Sequence, residues 1–152
     1  MVGIAASGRT PFVWGALEQA RRQGATVALV CCHPRLRFVK GSKPDILIAL
    51  PTGPEVLAGS TRLKAGTATK LVLNAVTTLA MVQLGKVAGN LMIDLNPSNQ
   101  KLRDRAVRIV TTLSGASTEA AELALNATTW KISDAAQCLG WKPPARRARN
   151  RK

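Results

Sequence analysis

An α/β domain built on a parallel sheet is the fold class the sequence predicts, and three observations point there. Apolar runs at Val2–Ala6, Thr26–Cys31 and Asp45–Leu50 are short and unbroken rather than alternating, the pattern of strands covered on both faces. Helical periodicity follows the first run, where Val13, Leu17 and Ala20 share one face of Thr10–Gln23. Between strand and helix lies Ser7-Gly8-Arg9-Thr10-Pro11, a tight turn with Thr10 placed as N-cap and Pro11 at the first helical position.

The remaining elements follow in order. The strand Thr26–Cys31 leaves through Cys32-His33-Pro34 into a basic loop with Arg35, Arg37, Lys40 and Lys43, which could attract an anionic substrate. After Asp45–Leu50, a helix is predicted over Thr61–Leu84. Its Leu71, Val72, Ala75, Val76, Leu79, Ala80 and Val82 leave almost no polar side, so it must be buried or pair with another subunit. A third helix, Ser98–Leu113, carries Leu102, Ala106, Ile109 and Val110 on one stripe, with Arg103, Asp104, Arg105 and Arg108 mostly off it. That is an amphipathic surface helix. Ser114–Leu139 reads as two short helices, started at Ser117-Thr-Glu-Ala and stopped at Gly140.

Two segments carry chemistry. The turn Ser7–Pro11 offers hydroxyls and backbone N–H groups at a helix start, where a phosphate is stabilised by the helix dipole and unpaired donors. Alone, S-G-x-T is as consistent with a plain turn. The block Gly53–Asn74 packs Glu55, Ser60, Thr61 and Lys64 ahead of the long apolar helix, again a polar entrance suited to an anion or a polyol. Without further support, Glu55 reads more simply as an exposed loop carboxylate and Lys64 as a solvated first-turn lysine.

Together the two segments are far more specific. A-A-S-G-R-T-P at Ala5–Pro11, G-P-E-V-L-A-G-S-T-R-L-K-A-G-T-A at Gly53–Ala68 and G-K-V-A-G-N-L-M-I-D-L at Gly85–Leu95 closely resemble the N-acetylmuramic acid 6-phosphate etherase family. That family has the sugar isomerase (SIS) fold and is related to glucokinase regulatory proteins. The resemblance runs from Val2 to about Val110 and then weakens. It implies a Rossmann-like three-layer sandwich, incomplete here, with a short C-terminal helical appendage. The implied organisation is an SIS-type domain over 1–113, an appendage over 114–141 and a basic tail over 142–152.

The resemblance also implies roles. Ser7, Gly8 and Thr10 would hold the sugar phosphate, with Arg9 beside them, and Glu55, Ser60, Thr61 and Lys64 would complete the substrate-binding site. The implied reaction is a carbon–oxygen lyase step on amino sugars from the cell wall, releasing D-lactate from the C3 ether of the sugar phosphate. It needs no metal or cofactor, because the ring-opened aldehyde already acidifies the C2 proton and carboxylates can serve as acid and base. The family's catalytic glutamates precede the A-A-S-G-R-T-P motif, where this chain begins, so the isolated chain is expected to lack them. A non-catalytic sugar-phosphate-binding module is the alternative. Expected partners are a second copy or a complementary N-terminal segment.

Composition narrows the rest. The chain has 152 residues and a net charge of +14, enough length for one ordinary domain. Lys142, Arg146, Arg147, Arg149, Arg151 and Lys152 crowd the tail without an acid and leave +8 for the remainder. With Pro143-Pro144, such a tail is expected to be disordered. A basic arm suits nucleic-acid backbones, but three Trp and two Phe are the only aromatics, too few to interleave as a single-strand platform. A solvated tail is the favoured reading. Cys31, Cys32 and Cys138 lack C-x-x-C spacing, so reduced thiols are expected and no metal site. No basic n-region precedes an apolar run, and no unbroken apolar stretch approaches the ~18 residues that span a bilayer. A cytoplasmic protein without a membrane partner is the expectation.

Overall fold

The computed structural model describes residues 1–38 and 41–144. Lys40 of the basic loop, and the tail cations Arg146, Arg147, Arg149, Arg151 and Lys152, lie outside the described residues. The chain divides into two compact units, Met1–Val76 and Thr77–Lys152.

In the first unit, β1 (Val2–Ile4), β2 (Ala28–Cys31) and β3 (Ile46–Ala49) form a parallel sheet in the order β1-β2-β3. All three predicted strands are present, each shortened at one end or both. Val2 pairs with Ala28, and Ala28 with Ile46. α1 (Pro11–Arg22) returns the chain from β1 to β2. Its Leu17 and Ala20 are buried with Val27, Leu29 and Cys31, and Val13, Trp14 and Phe38 pack around them. α1 lies close against β1. A Cβ at Gly3 would stand 2.7 Å from Val13 Cγ1 and 3.0 Å from Leu17 Cδ1, so a side chain there would force the Val13 and Leu17 side chains to move.

Coverage of the sheet departs from expectation. Unbroken apolar strands predict cover on both faces, yet Val2, Ile4 and Ile46 are 52, 41 and 51 % exposed. The register puts them on the face that Gly3 does not share, opposite α1. α2 (Lys64–Gln83) likewise buries only Ala65. Leu71, Val76, Leu79, Val82 and Leu84 are exposed, so within this chain the predicted burial of that helix is not met. α2 is also long and apolar enough, by length and composition alone, to cross a bilayer. Its apolar residues do not form an unbroken run, because Asn74, Thr77 and Thr78 interrupt them. Core helices of soluble proteins pass the same test.

The second unit opens with a hairpin that periodicity did not anticipate. β4 (Val87–Ala88) and β5 (Leu91–Met92) pair antiparallel around Gly89-Asn90, a two-residue connection of the favoured chemistry. α3 (Gln100–Ser114) follows, its first turn capped by Asn99 Oδ1 accepting from Leu102 N at 3.0 Å. α4 (Thr118–Ala127) and α5 (Ile132–Cys138) are the two predicted short helices, and Ser117 caps the first by accepting from Ala120 N. Ala106, Ile109 and Val110 of α3 share one buried core with Leu125 of α4 and Ile132 and Ala135 of α5. α3 therefore packs with the two short helices that follow it.

Candidate functional site

The turn between β1 and α1 is built to hold its shape. Gly8 N–H donates to Ala5 O at 2.9 Å, and Trp14 Nε1 donates to Gly8 O at 2.8 Å. Gly8 has φ +67°, and a Cβ there would lie 2.8 Å from Leu36 Cδ2. Both the left-handed backbone and the close neighbour favour glycine. Ser7 Oγ accepts from Arg9 N at 3.2 Å and keeps its own O–H to donate. Thr10 occupies the predicted N-cap position, but its side chain makes no cap bond. Its hydroxyl is exposed. The first turn of α1 contains no acidic residue, so nothing in that turn neutralises the positive end of the helix.

The entrance to α2 has the opposite character. Glu55 reaches forward from the loop and grips the helix start, Oε2 accepting from Lys64 N and Oε1 from Ala65 N, both at 2.9 Å. Two of the donors that the sequence seemed to offer to a ligand are thus taken by an internal carboxylate. The N–H groups of Ala65 and Lys64, and then the Lys64 charge, hold the Glu55 carboxyl below its ordinary value. A carboxylate so stabilised is a poor proton donor. Lys64 Nζ lies beside Gly53, 3.7 Å from where a Cβ would stand. Ser60 N and Thr61 N donate to Leu57 O and Gly59 O at 3.0 Å each, winding the approach to the helix.

The Glu55 arrangement predicts a pH dependence. Its folded pKa is lowered, so the stability it contributes is present above the ordinary value of 4.5 and is lost as pH falls through the folded value. Thermal melts of the native chain are expected to drop across that acid range, and Glu55→Gln to flatten part of the drop. Glu119, also lowered by its own backbone N–H and by Ser117, supplies the remainder. An unchanged profile in Glu55→Gln would show that the cap does not contribute.

Two predicted clusters approach one cleft. A hollow of about 410 Å³ is lined by Ile4, Ala5 and Ala6 from the end of β1 and by Thr61, Thr69 and Lys70 around the start of α2. Ser7 follows directly on Ala6. Of the residues expected in the site, Thr61 lines this cleft, Gly8 and Arg9 line a different hollow, and Ser7, Thr10, Glu55, Ser60 and Lys64 line neither. Lys70 was not singled out from sequence, although it is the cation that lines the cleft. The signal available was its place one and two-thirds turns beyond Lys64, which sets it on a different face of α2.

Comparison with known proteins bears on what this cleft serves. Residues 89–142, within the second unit, match the model for the C-terminal lid domain of glucokinase regulatory protein. An N-acetylmuramic acid 6-phosphate etherase of Cutibacterium acnes is 54 % identical over 126 residues, 83 % of this chain and 41 % of that protein. The Gloeobacter violaceus etherase is 60 % identical over 114 residues, 75 % of this chain and 37 % of its own length. The chain is a homologue of the N-acetylmuramic acid 6-phosphate etherases. An etherase of Vibrio parahaemolyticus extends the match to 127 residues at 54 % identity, 84 % of this chain and 42 % of that protein. The chain therefore spans about two fifths of the length of these etherases.

Proposed function

We propose that this chain provides the sugar-phosphate-binding portion of an etherase-type carbon–oxygen lyase, acting in the cytoplasm on N-acetylmuramic acid 6-phosphate. The observation that carries this reading is the contrast between the two helix starts. α2 is closed by Glu55, whereas α1 has no side-chain cap and no acid in its first turn, with Thr10 exposed above it. An anion such as the 6-phosphate is best accommodated where the dipole is unanswered by an acid and the side-chain hydroxyls of Ser7 and Thr10 remain able to donate. The sugar body would then lie toward the cleft by Thr61 and Lys70.

In the reaction that the resemblance implies, the C2 proton is removed, the C3–O ether bond breaks and the lactyl oxygen leaves with a proton. The expected product pair is D-lactate and, after water adds, N-acetylglucosamine 6-phosphate. This chain's part is to fix the phosphate and so place C2 and C3. The proton transfers are not assigned to it. The first unit has three carboxylates, and each is engaged: Glu18 with Arg22 at 2.6 Å, Asp45 accepting from Val27 N at 2.7 Å, and Glu55 at α2. Positioned acid–base groups are worth roughly 10²–10⁴-fold each.

That same observation favours a second reading, a non-catalytic sugar-phosphate-binding regulatory module. One pair of measurements separates the two and tests what they share. Calorimetric titration is expected to show N-acetylglucosamine 6-phosphate binding and N-acetylglucosamine failing to bind. Release of D-lactate from N-acetylmuramic acid 6-phosphate is expected only when the chain is mixed with the remaining portion of a full-length relative. Binding without release in the mixture would favour the regulatory reading. Failure of the sugar phosphate to bind would remove both.

A further inference from the structure

A hollow larger than the cleft by α2 is present among the described residues. It lies on the other side of the Ser7–Thr10 turn, between α1 and the loop that follows β2, and encloses about 880 Å³. That is within the size range of small-ligand pockets.

Its charge is one-sided. Five arginines line it, Arg9, Arg21, Arg22, Arg35 and Arg37, against one acid, Glu18. Glu18 is already committed to Arg22 at 2.6 Å. Arg21 is held by Gly41 O at 3.2 Å, Lys43 O at 2.6 Å and Asp45 at 3.9 Å, which fixes the far end of the loop to α1. The guanidinium groups of Arg9, Arg35 and Arg37 have no hydrogen-bond or ion-pair partner among the described residues. Three forks that could accept phosphate oxygens in pairs thus face one hollow.

Its wall is apolar and aromatic. Trp14 and Phe38 meet edge to face at 5.9 Å, beside Leu36 and Pro44. The Trp14 indole is fixed by its bond to Gly8 O. A bare anion would gain nothing from such a wall, whereas a flat organic body could lie against it and beneath a guanidinium plane.

We propose that this hollow is a second anion site, taking a small organic polyphosphate with a planar apolar body, separate from the phosphate held by Ser7 and Thr10. The hollow shares Gly8 and Arg9 with that turn, but the inference uses neither the hydroxyls of Ser7 and Thr10 nor the α2 cleft, so it can hold where the etherase reading fails.

Calorimetry on the whole chain tests this, with ADP and inorganic pyrophosphate as probes at low salt. ADP is expected to bind at one equivalent and more tightly than pyrophosphate. Arg35→Ala with Arg37→Ala is expected to weaken ADP about tenfold or more, while Phe38→Ala weakens ADP and leaves pyrophosphate unchanged. Ser7→Ala with Thr10→Val should leave ADP affinity as it was. Circular dichroism that matches the native chain will show that each variant folds, and Arg35→Lys with Arg37→Lys provides a version that keeps the charge and loses the fork. Four results would overturn the proposal: no binding of ADP, ADP affinity indifferent to Arg35 and Arg37, ADP binding lost with Ser7 and Thr10, or pyrophosphate binding as tightly as ADP. A short oligothymidylate that displaces ADP and binds more tightly would also overturn it, marking the hollow as part of a nucleic-acid face.

Discussion

Ser7→Ala combined with Thr10→Val is expected to weaken binding of N-acetylglucosamine 6-phosphate by about 1–3 kcal/mol, which is roughly five- to 150-fold. Each hydroxyl can donate to a charged phosphate oxygen, and neither is consumed as a donor by the fold. Thr10 makes no side-chain cap bond, and Ser7 Oγ serves as an acceptor for Arg9 N. Replacing Thr10 by Val keeps the branched shape and removes only the O–H. Folding should therefore change little, and the loss should show in affinity. Calorimetry on the double variant checks this directly. Unchanged affinity would remove the β1–α1 turn from the site.

The second large effect concerns association. The isolated 152-residue chain is expected to associate, and to do so more strongly as salt rises. The edge strands of the sheet present Val2, Ile4 and Ile46, and α2 with the residue after it presents Leu71, Val76, Leu79, Val82 and Leu84, exposed at 60, 50, 58, 47 and 54 %. Contiguous apolar surface of this kind is normally covered by another chain or another segment. β1 and β3 are edge strands, whose unpaired groups offer further pairing. Self-repulsion at +14 opposes this, but screening confines it to about 8 Å at physiological ionic strength. Ultracentrifugation over a salt series should show mass rising with salt. Leu71→Glu with Leu79→Glu should return the chain toward monomer. A compact monomer at every ionic strength would mean that these surfaces need no partner.

The strand–turn–helix unit was legible because each of its signals is local. The apolar run, the Ser-Gly turn, Thr10 before Pro11 and the Val13–Leu17–Ala20 face all act within a few residues, and the element boundaries shift by at most two positions. Glu55 was legible as an important residue and not as a cap. A capping box places its acid inside the first turn, whereas Glu55 reaches α2 from nine and ten residues upstream, a distance over which no spacing rule operates. The β4–β5 hairpin escaped because two-residue strands are too short to show a period. The stripe on α3 revealed that one face is buried, but not that α4 and α5 bury it. For α2, an apolar sequence records a demand for cover without stating whether the same chain meets it.

The central claim is that the β1–α1 turn holds the phosphate of a sugar 6-phosphate. The most direct measurement is a nitrogen-resolved NMR titration of the amide signals with N-acetylglucosamine 6-phosphate, using N-acetylglucosamine as the control. Saturable shifts are expected at Gly8, Arg9 and Thr10, with smaller ones at Thr61 and Lys70, and none with the unphosphorylated sugar. Shifts that leave Gly8 to Thr10 untouched, or that are confined to the Arg35 and Arg37 hollow, would contradict the account.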